Sequence, residues 1–162
     1  MTTRPKAARA QAPNEDVAEL QRQVQSFVRS FGLLVTKETP CGHPVSPSYA
    51  HALMVLLERE GAQLATSQSD LGARLGIDKS NVARLCERLH AQAHAVQARS
   101  TEDGRSRQLK LTAKGRRMAE QIAGASFERF QRVAKGVPPN KRAALLESLS
   151  ALNAAVERLK EN

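Results

Sequence analysis

The chain has 162 residues, 25 Lys and Arg against 16 Asp and Glu, a formal net charge of +9, four Phe, one Tyr and no Trp. That is enough for one domain with a buried core, or one subunit of an intertwined oligomer, and the surplus of positive charge points to an anionic partner, nucleic acid first. Two cysteines cannot build a disulfide framework, the longest apolar run (Ala52 to Leu57) is too short to span a bilayer, and the basic N-terminal stretch has no apolar run behind it. A cytoplasmic protein with no membrane partner is therefore expected.

In chain order, residues 1–13 form a basic arm expected to be disordered. Asn14 is an N-cap candidate for a long amphipathic helix over 14–38, with Val17, Leu20, Val24, Phe27, Val28, Phe31, Leu34 and Val35 at spacings of three and four. The run TPCGHPVSP (39–47) breaks it, and Ser46 with Pro47 starts a second helix that stops near Gly61. Two short helices follow. Ser67 and Asp70 make a capping box, Gly76 supplies a turn, and Asp78 caps a helix over 79–91. AVQAR (95–99) and SRQLKL (106–111) alternate with period two and are joined by STEDGR, a β-hairpin over 95–111. Thr112 caps a long helix, GVPPN (136–140) ends it, and a last helix carries Leu145, Leu149, Leu152, Val156 and Leu159.

Helix, turn, helix and hairpin in this order make a winged helix-turn-helix over 46–112. The fold class expected is mainly α with a small β-hairpin wing, flanked by long N- and C-terminal dimerisation helices (14–38 and 113–162). The helix over 79–91 has two faces. Val82, Leu85, Cys86 and Leu89 turn to the core, while Lys79, Ser80, Asn81, Arg84 and Arg88 turn outward. Asn reads adenine and Arg reads guanine through paired hydrogen bonds, and the second helix of this motif enters the major groove. Charge agrees: residues 66–117 hold eleven basic and five acidic residues, a net +6 in a third of the chain.

DGRSRQLKLTAKG (103–115) resembles the wing signature of MarR-type regulators, with Asp103, Arg105, Leu111, Thr112 and Gly115 at the family spacing. SQSDLGARLGIDKSNVARLCERL (67–89) resembles that family's reading head, and the element order from about residue 14 is similar too. The resemblance implies a homodimeric, ligand-responsive transcriptional regulator, usually a repressor, acting on double-stranded DNA at an inverted-repeat operator. Gly104 departs from the pattern, because the family often has a second basic residue there. In the wing, Asp103 is placed to orient the Arg105 guanidinium for a minor groove, and Arg107 is placed for phosphate.

The terminal helices carry all four Phe and the leucine stripe. A two-fold interface accounts for them better than a monomer core. Near the break, Cys41, His43, Tyr49 and His51 are the candidates for binding an effector or sensing. The resemblance leaves open a thiol-based oxidant sensor through Cys41 and His43 and a metal-responsive regulator of the same fold, although no strict metal-ligand spacing is present and no metal or cofactor is expected. His90 and His94 are expected at the surface, and Cys86 in the core. No phosphate-binding loop, dinucleotide fingerprint, HExxH or nucleophile elbow is present, so an enzyme is not expected. A non-specific architectural DNA-binding protein is the remaining alternative.

Overall fold

The computed structural model describes residues 13–34, 37–99 and 107–160. Six helices and one hairpin follow in the order α1 (Pro13–Phe31), α2 (Pro47–Gly61), α3 (Gln68–Leu75), α4 (Lys79–Ala91), β1 (Ala95–Arg99), β2 (Arg107–Leu111), α5 (Ala113–Gly136) and α6 (Pro139–Lys160). β1 and β2 pair antiparallel, with Ala95 opposite Leu111 and Arg99 opposite Arg107. The fold is mainly α with a small two-stranded wing.

Local chemistry sets the boundaries of the central elements. The Ser67 hydroxyl accepts from the Asp70 amide while the Asp70 carboxylate accepts from the Ser67 amide, closing the capping box of α3. Gly76 ends α3 at φ 64°, in the left-handed region where a side chain is strained. The Asp78 carboxylate then accepts from the amides of Ser80 and Asn81, each at 2.9 Å, and starts α4. Thr112 caps α5 by accepting from the Gly115 amide, and its hydroxyl donates back to the Ala93 carbonyl at 2.7 Å. Ser46 holds the N-cap position of α2 without capping through its side chain, which pairs with the Ser48 hydroxyl instead.

These elements close on one core. Leu53 of α2, Leu71 of α3, Leu89 of α4 and Ile122 of α5 are fully buried, joined by Leu56, Val82, Leu85, Leu109, Leu111 and Ala119. Each such aliphatic side chain contributes roughly 1.5–3 kcal/mol on burial. α3 and α4 cross closely because Gly72 has no side chain. A β-carbon there would sit 3.3 Å from Cγ1 of Val82. At Gly115 the approach is closer still, and a β-carbon would overlap the His94 carbonyl. The N-terminus of α5 is thereby pressed against the start of the wing.

The terminal helices behave differently. α6 buries none of its residues, and Leu145, Leu149, Val156 and Leu159 of its stripe are exposed, Leu159 at 76%. On α1, Val17, Leu20, Val24 and Phe27 are exposed as well. α1 and α5 meet through rings: Phe27 stacks on Phe31 at 5.1 Å, and Phe31 meets Phe130 at 5.0 Å.

Two expectations need correction. The first helix is shorter than the span 14–38, because Gly32 at φ 84° stops it. The Gly32 amide donates to Arg29 and the Leu33 amide reaches back to Val28, a glycine-terminated helix end. Apolar spacing ran on through Leu34, but Leu34 lies in the turn, and Val35 lies outside the described residues. α1 also begins at Pro13, so Asn14 is inside the helix rather than its cap. The second correction is His94, which is buried at 8% rather than exposed; His90 is exposed.

Candidate nucleic-acid interface

The apolar side of α4 (Val82, Leu85, Cys86, Leu89) is locked into the core, so its other side is held outward. Lys79, Ser80, Asn81, Arg84 and Arg88 are all exposed along it. Asp78 organises the first turn beyond its backbone cap. Its carboxylate accepts from the Ser80 hydroxyl at 2.7 Å and from Nδ2 of Asn81 at 2.6 Å. These bonds, led by that from the Asn81 amide, hold the Asp78 carboxyl below its ordinary range. The carboxylate thus orients Asn81, whose carboxamide keeps its acceptor oxygen and one further N–H for a base edge.

Arg88, at the far end of the stripe, is engaged inside the protein. Its guanidinium carbon lies 5.3 Å above the Tyr49 ring. On the wing, Arg107 is exposed and donates to the Gln97 carboxamide across the hairpin at 3.4 Å. Asp103 and Arg105 lie outside the described residues. The wing is tied to the body at its base. The Leu109 amide donates to the Thr66 carbonyl at 2.7 Å, and Arg59 Nε donates to the Thr66 hydroxyl at 2.8 Å.

A second feature lies between α1, α2 and α5, a cavity of about 310 Å³. Phe27, Phe31, Met54, Ile122 and Phe130 give it apolar walls, and Cys41, His51 and Arg129 add polar atoms. Arg129 donates through Nη2 to the Phe31 carbonyl at 3.0 Å and stacks on the Phe31 ring at 4.8 Å. Its Nε is buried and has no hydrogen-bond partner among the described residues. Sequence reasoning missed Arg129. The spacing of Ile122, Ser126, Arg129 and Phe130 puts it on one α5 face, which was the available signal.

Of the four residues proposed for effector binding or sensing, the cavity gathers Cys41 and His51. The Cys41 thiol contacts the Thr39 hydroxyl at 3.1 Å, and His43 meets the same hydroxyl through its backbone amide. Tyr49 points the other way, into the core, where its hydroxyl bonds Nδ1 of His94 at 2.7 Å. Among the described residues, no group of three or more His, Cys, Asp or Glu could hold a metal ion. Cys86 is buried, and that burial, with Glu87 beside it, raises its thiol pKa and keeps it unreactive.

A helix-turn-helix with a hairpin wing, a projecting basic stripe and long flanking helices is the architecture of a winged helix-turn-helix. Residues 43–106 match the MarR family model. No curated protein matches the sequence. Solved structures do. A probable transcriptional regulator from Pseudomonas aeruginosa is 20% identical with a TM-score of 0.63, over 87% of this chain and 99% of that one. S. aureus MepR in its DNA-binding conformation is 15% identical with a TM-score of 0.61, over 88% and 94%. PcaV from Streptomyces coelicolor, in complex with its natural ligand, is 23% identical with a TM-score of 0.58, over 94% and 99%. At these identities the likeness is one of fold. No described helix is long and apolar enough to cross a membrane.

Proposed function

We propose that the protein is a homodimeric, sequence-specific repressor whose hold on its operator is set by a small apolar acid bound in the α1–α2–α5 cavity. The observation that carries the reading is the outward stripe of α4, fixed by its buried opposite face. In the reading, Asn81 and Arg84 contact base edges, Lys79 and Ser80 contact the flanking backbone, and Arg88 reaches a phosphate from its seat over the Tyr49 ring. Arg107 takes a phosphate, and Arg105, held by Asp103, takes the adjoining minor groove. The solved MepR–DNA complex and ligand-bound PcaV support DNA and a small molecule as partners for this fold.

The dimer is supported by the exposed apolar faces of α1 and α6, which a second copy would cover. The effector class follows from the cavity lining. Aromatic walls suit an aromatic ring, and the buried Arg129 Nε offers an unused, charge-assisted donor to a carboxylate.

The test is selection of bound sites from random duplex, followed by competition with a scrambled duplex. An inverted repeat with half-sites about 10–10.5 base pairs apart is expected. Equal binding to the scrambled duplex would make the protein an architectural binder. Benzoate-type acids should release the selected site, and Arg129→Met should abolish that release. Mild peroxide should leave binding unchanged, and prompt release that depends on Cys41 would replace the ligand reading with a thiol switch.

A further inference from the structure

Tyr49 and His94 are 2% and 8% exposed, a pair of polar rings inside an otherwise apolar core. They meet edge to face at 5.9 Å, with the hydroxyl on Nδ1 at 2.7 Å. His94 stands where three elements join. Its amide donates to Leu89 at the end of α4, it immediately precedes β1, and its carbonyl accepts from the Thr112 amide at the cap of α5. Tyr49 belongs to the first turns of α2, where Pro47, Ala50 and His51 line the cavity. The outer face of the Tyr49 ring carries Arg88 of α4.

We propose that Tyr49, His94 and Arg88 form a proton-operated latch that seats the last turn of α4 on α2 and lets go when His94 takes up a proton; this rests on the reading of α4 as the DNA-contacting helix. In the latch neutral His94 carries its proton on Nε2, so Nδ1 accepts a hydrogen bond from the Tyr49 hydroxyl. Once protonated, Nδ1 becomes a donor, so the hydroxyl must turn a lone pair towards it and give up its own bond to the ring. The charged groups placed around the new charge are cations. Arg88 of α4 lies on the Tyr49 ring. Lys114 of α5 is held nearby by its bond to the Gln92 carbonyl. Lys37 lines the same hollow from the turn before α2. Among the described residues lining that hollow, none is acidic.

Burial first, and Lys114 second, hold the His94 pKa below its ordinary value. The unfolded chain therefore binds the proton more readily than the folded one. The contribution of neutral His94 to stability is complete above the ordinary imidazole value of about 6.5. It declines as pH falls from there to the folded value. Acid thus works against the seat of α4, and the cost falls on Arg88.

The chain has a built-in reporter, because Tyr49 is its single Tyr and it has no Trp. Tyrosine emission of the free protein should change in a one-proton step with its midpoint below about 6.5. Affinity for the selected duplex, at constant ionic strength, should fall severalfold through the same step. His94→Gln should remove both steps, and Tyr49→Phe should move the affinity midpoint up towards the ordinary value. If His94→Gln fails to fold, ring-nitrogen NMR of the wild type locates the His94 midpoint directly. A His94 midpoint at or above the ordinary value would overturn the latch. So would affinity that is flat through the His94 step, or an affinity step that survives in His94→Gln. Should the wild type bind no duplex at any pH, the DNA reading fails separately. The latch is then decided by amide exchange in Arg88–Ala91, which should accelerate through the step; unchanged exchange overturns it.

Discussion

The reading head and the terminal helices use apolar residues in opposite ways. Between α2 and the first half of α5, most leucines point inward and are sealed. Leu53, Leu71 and Leu89 belong to one core cluster and are fully buried. On α1 and α6 the same residue type faces outward along whole stripes, with Val17 at 65% and Leu159 at 76% exposure. Both regions show the same helical periodicity, so periodicity alone says that a face is apolar and not what covers it. The reading head supplies its own cover, whereas the outward stripes of the terminal helices are left uncovered within the single chain.

The strongest attempt to break this contrast is removal of residues 140–162. The protein should become monomeric or insoluble and lose most operator binding; a truncated chain that stays a soluble dimer by light scattering would refute the assignment. Next in size is a matched pair of truncations. Leu53→Ala should cost about 2–5 kcal/mol in chemical denaturation, as for other sealed leucines. Leu149→Ala should leave the unfolding of the monomer nearly unchanged and raise the dimer dissociation constant. Equal effects of the two on monomer stability would erase the distinction.

Within the reading head, Arg84→Ala should cost roughly 1–3 kcal/mol per half-site and relax preference at one position in each half. Arg107→Ala should weaken every duplex about equally and flatten the salt dependence. Binding of both variants to point-mutated sites at several salt concentrations separates these roles. If Arg84→Ala lowered all affinities by one factor, α4 would not be reading bases through Arg84. The smallest effect belongs to Thr112→Ala, about 1 kcal/mol from the α5 cap. It should show as a lower melting temperature with the dimer intact.

What was legible in the sequence was local. Ser67 with Asp70, Gly76, Asp78 and Thr112 each act within four residues of themselves, and the structure has them doing so. The pairing of Ala95–Arg99 with Arg107–Leu111 was legible for the same reason, since both strands alternate around a short connection. The end of α1 was misread because apolar spacing continued past Gly32, and periodicity outweighed a single glycine. His94 was misread because its partner is 45 positions away. Nothing beside it in the sequence distinguishes it from the exposed His90. Arg129 has the same character, since its carbonyl partner, Phe31, comes from α1, 98 positions earlier. Polar groups that matter through distant neighbours leave no local trace, and the cavity and the latch are both built from them.

The tie between Leu109 and Thr66 has one more consequence. A two-stranded sheet has two open edges, and an open edge is a template on which a foreign strand can add. Along β2 the Leu109 amide is already spent on the Thr66 carbonyl, and Arg59 holds Thr66 in place through its hydroxyl. That flank is therefore closed to strand addition at its centre. The other flank, β1, is five residues long and ends in an arginine, and a short edge strand offers little for a partner strand to pair with. Strand addition along β2 is thus hindered by the same loop that anchors the wing to the body.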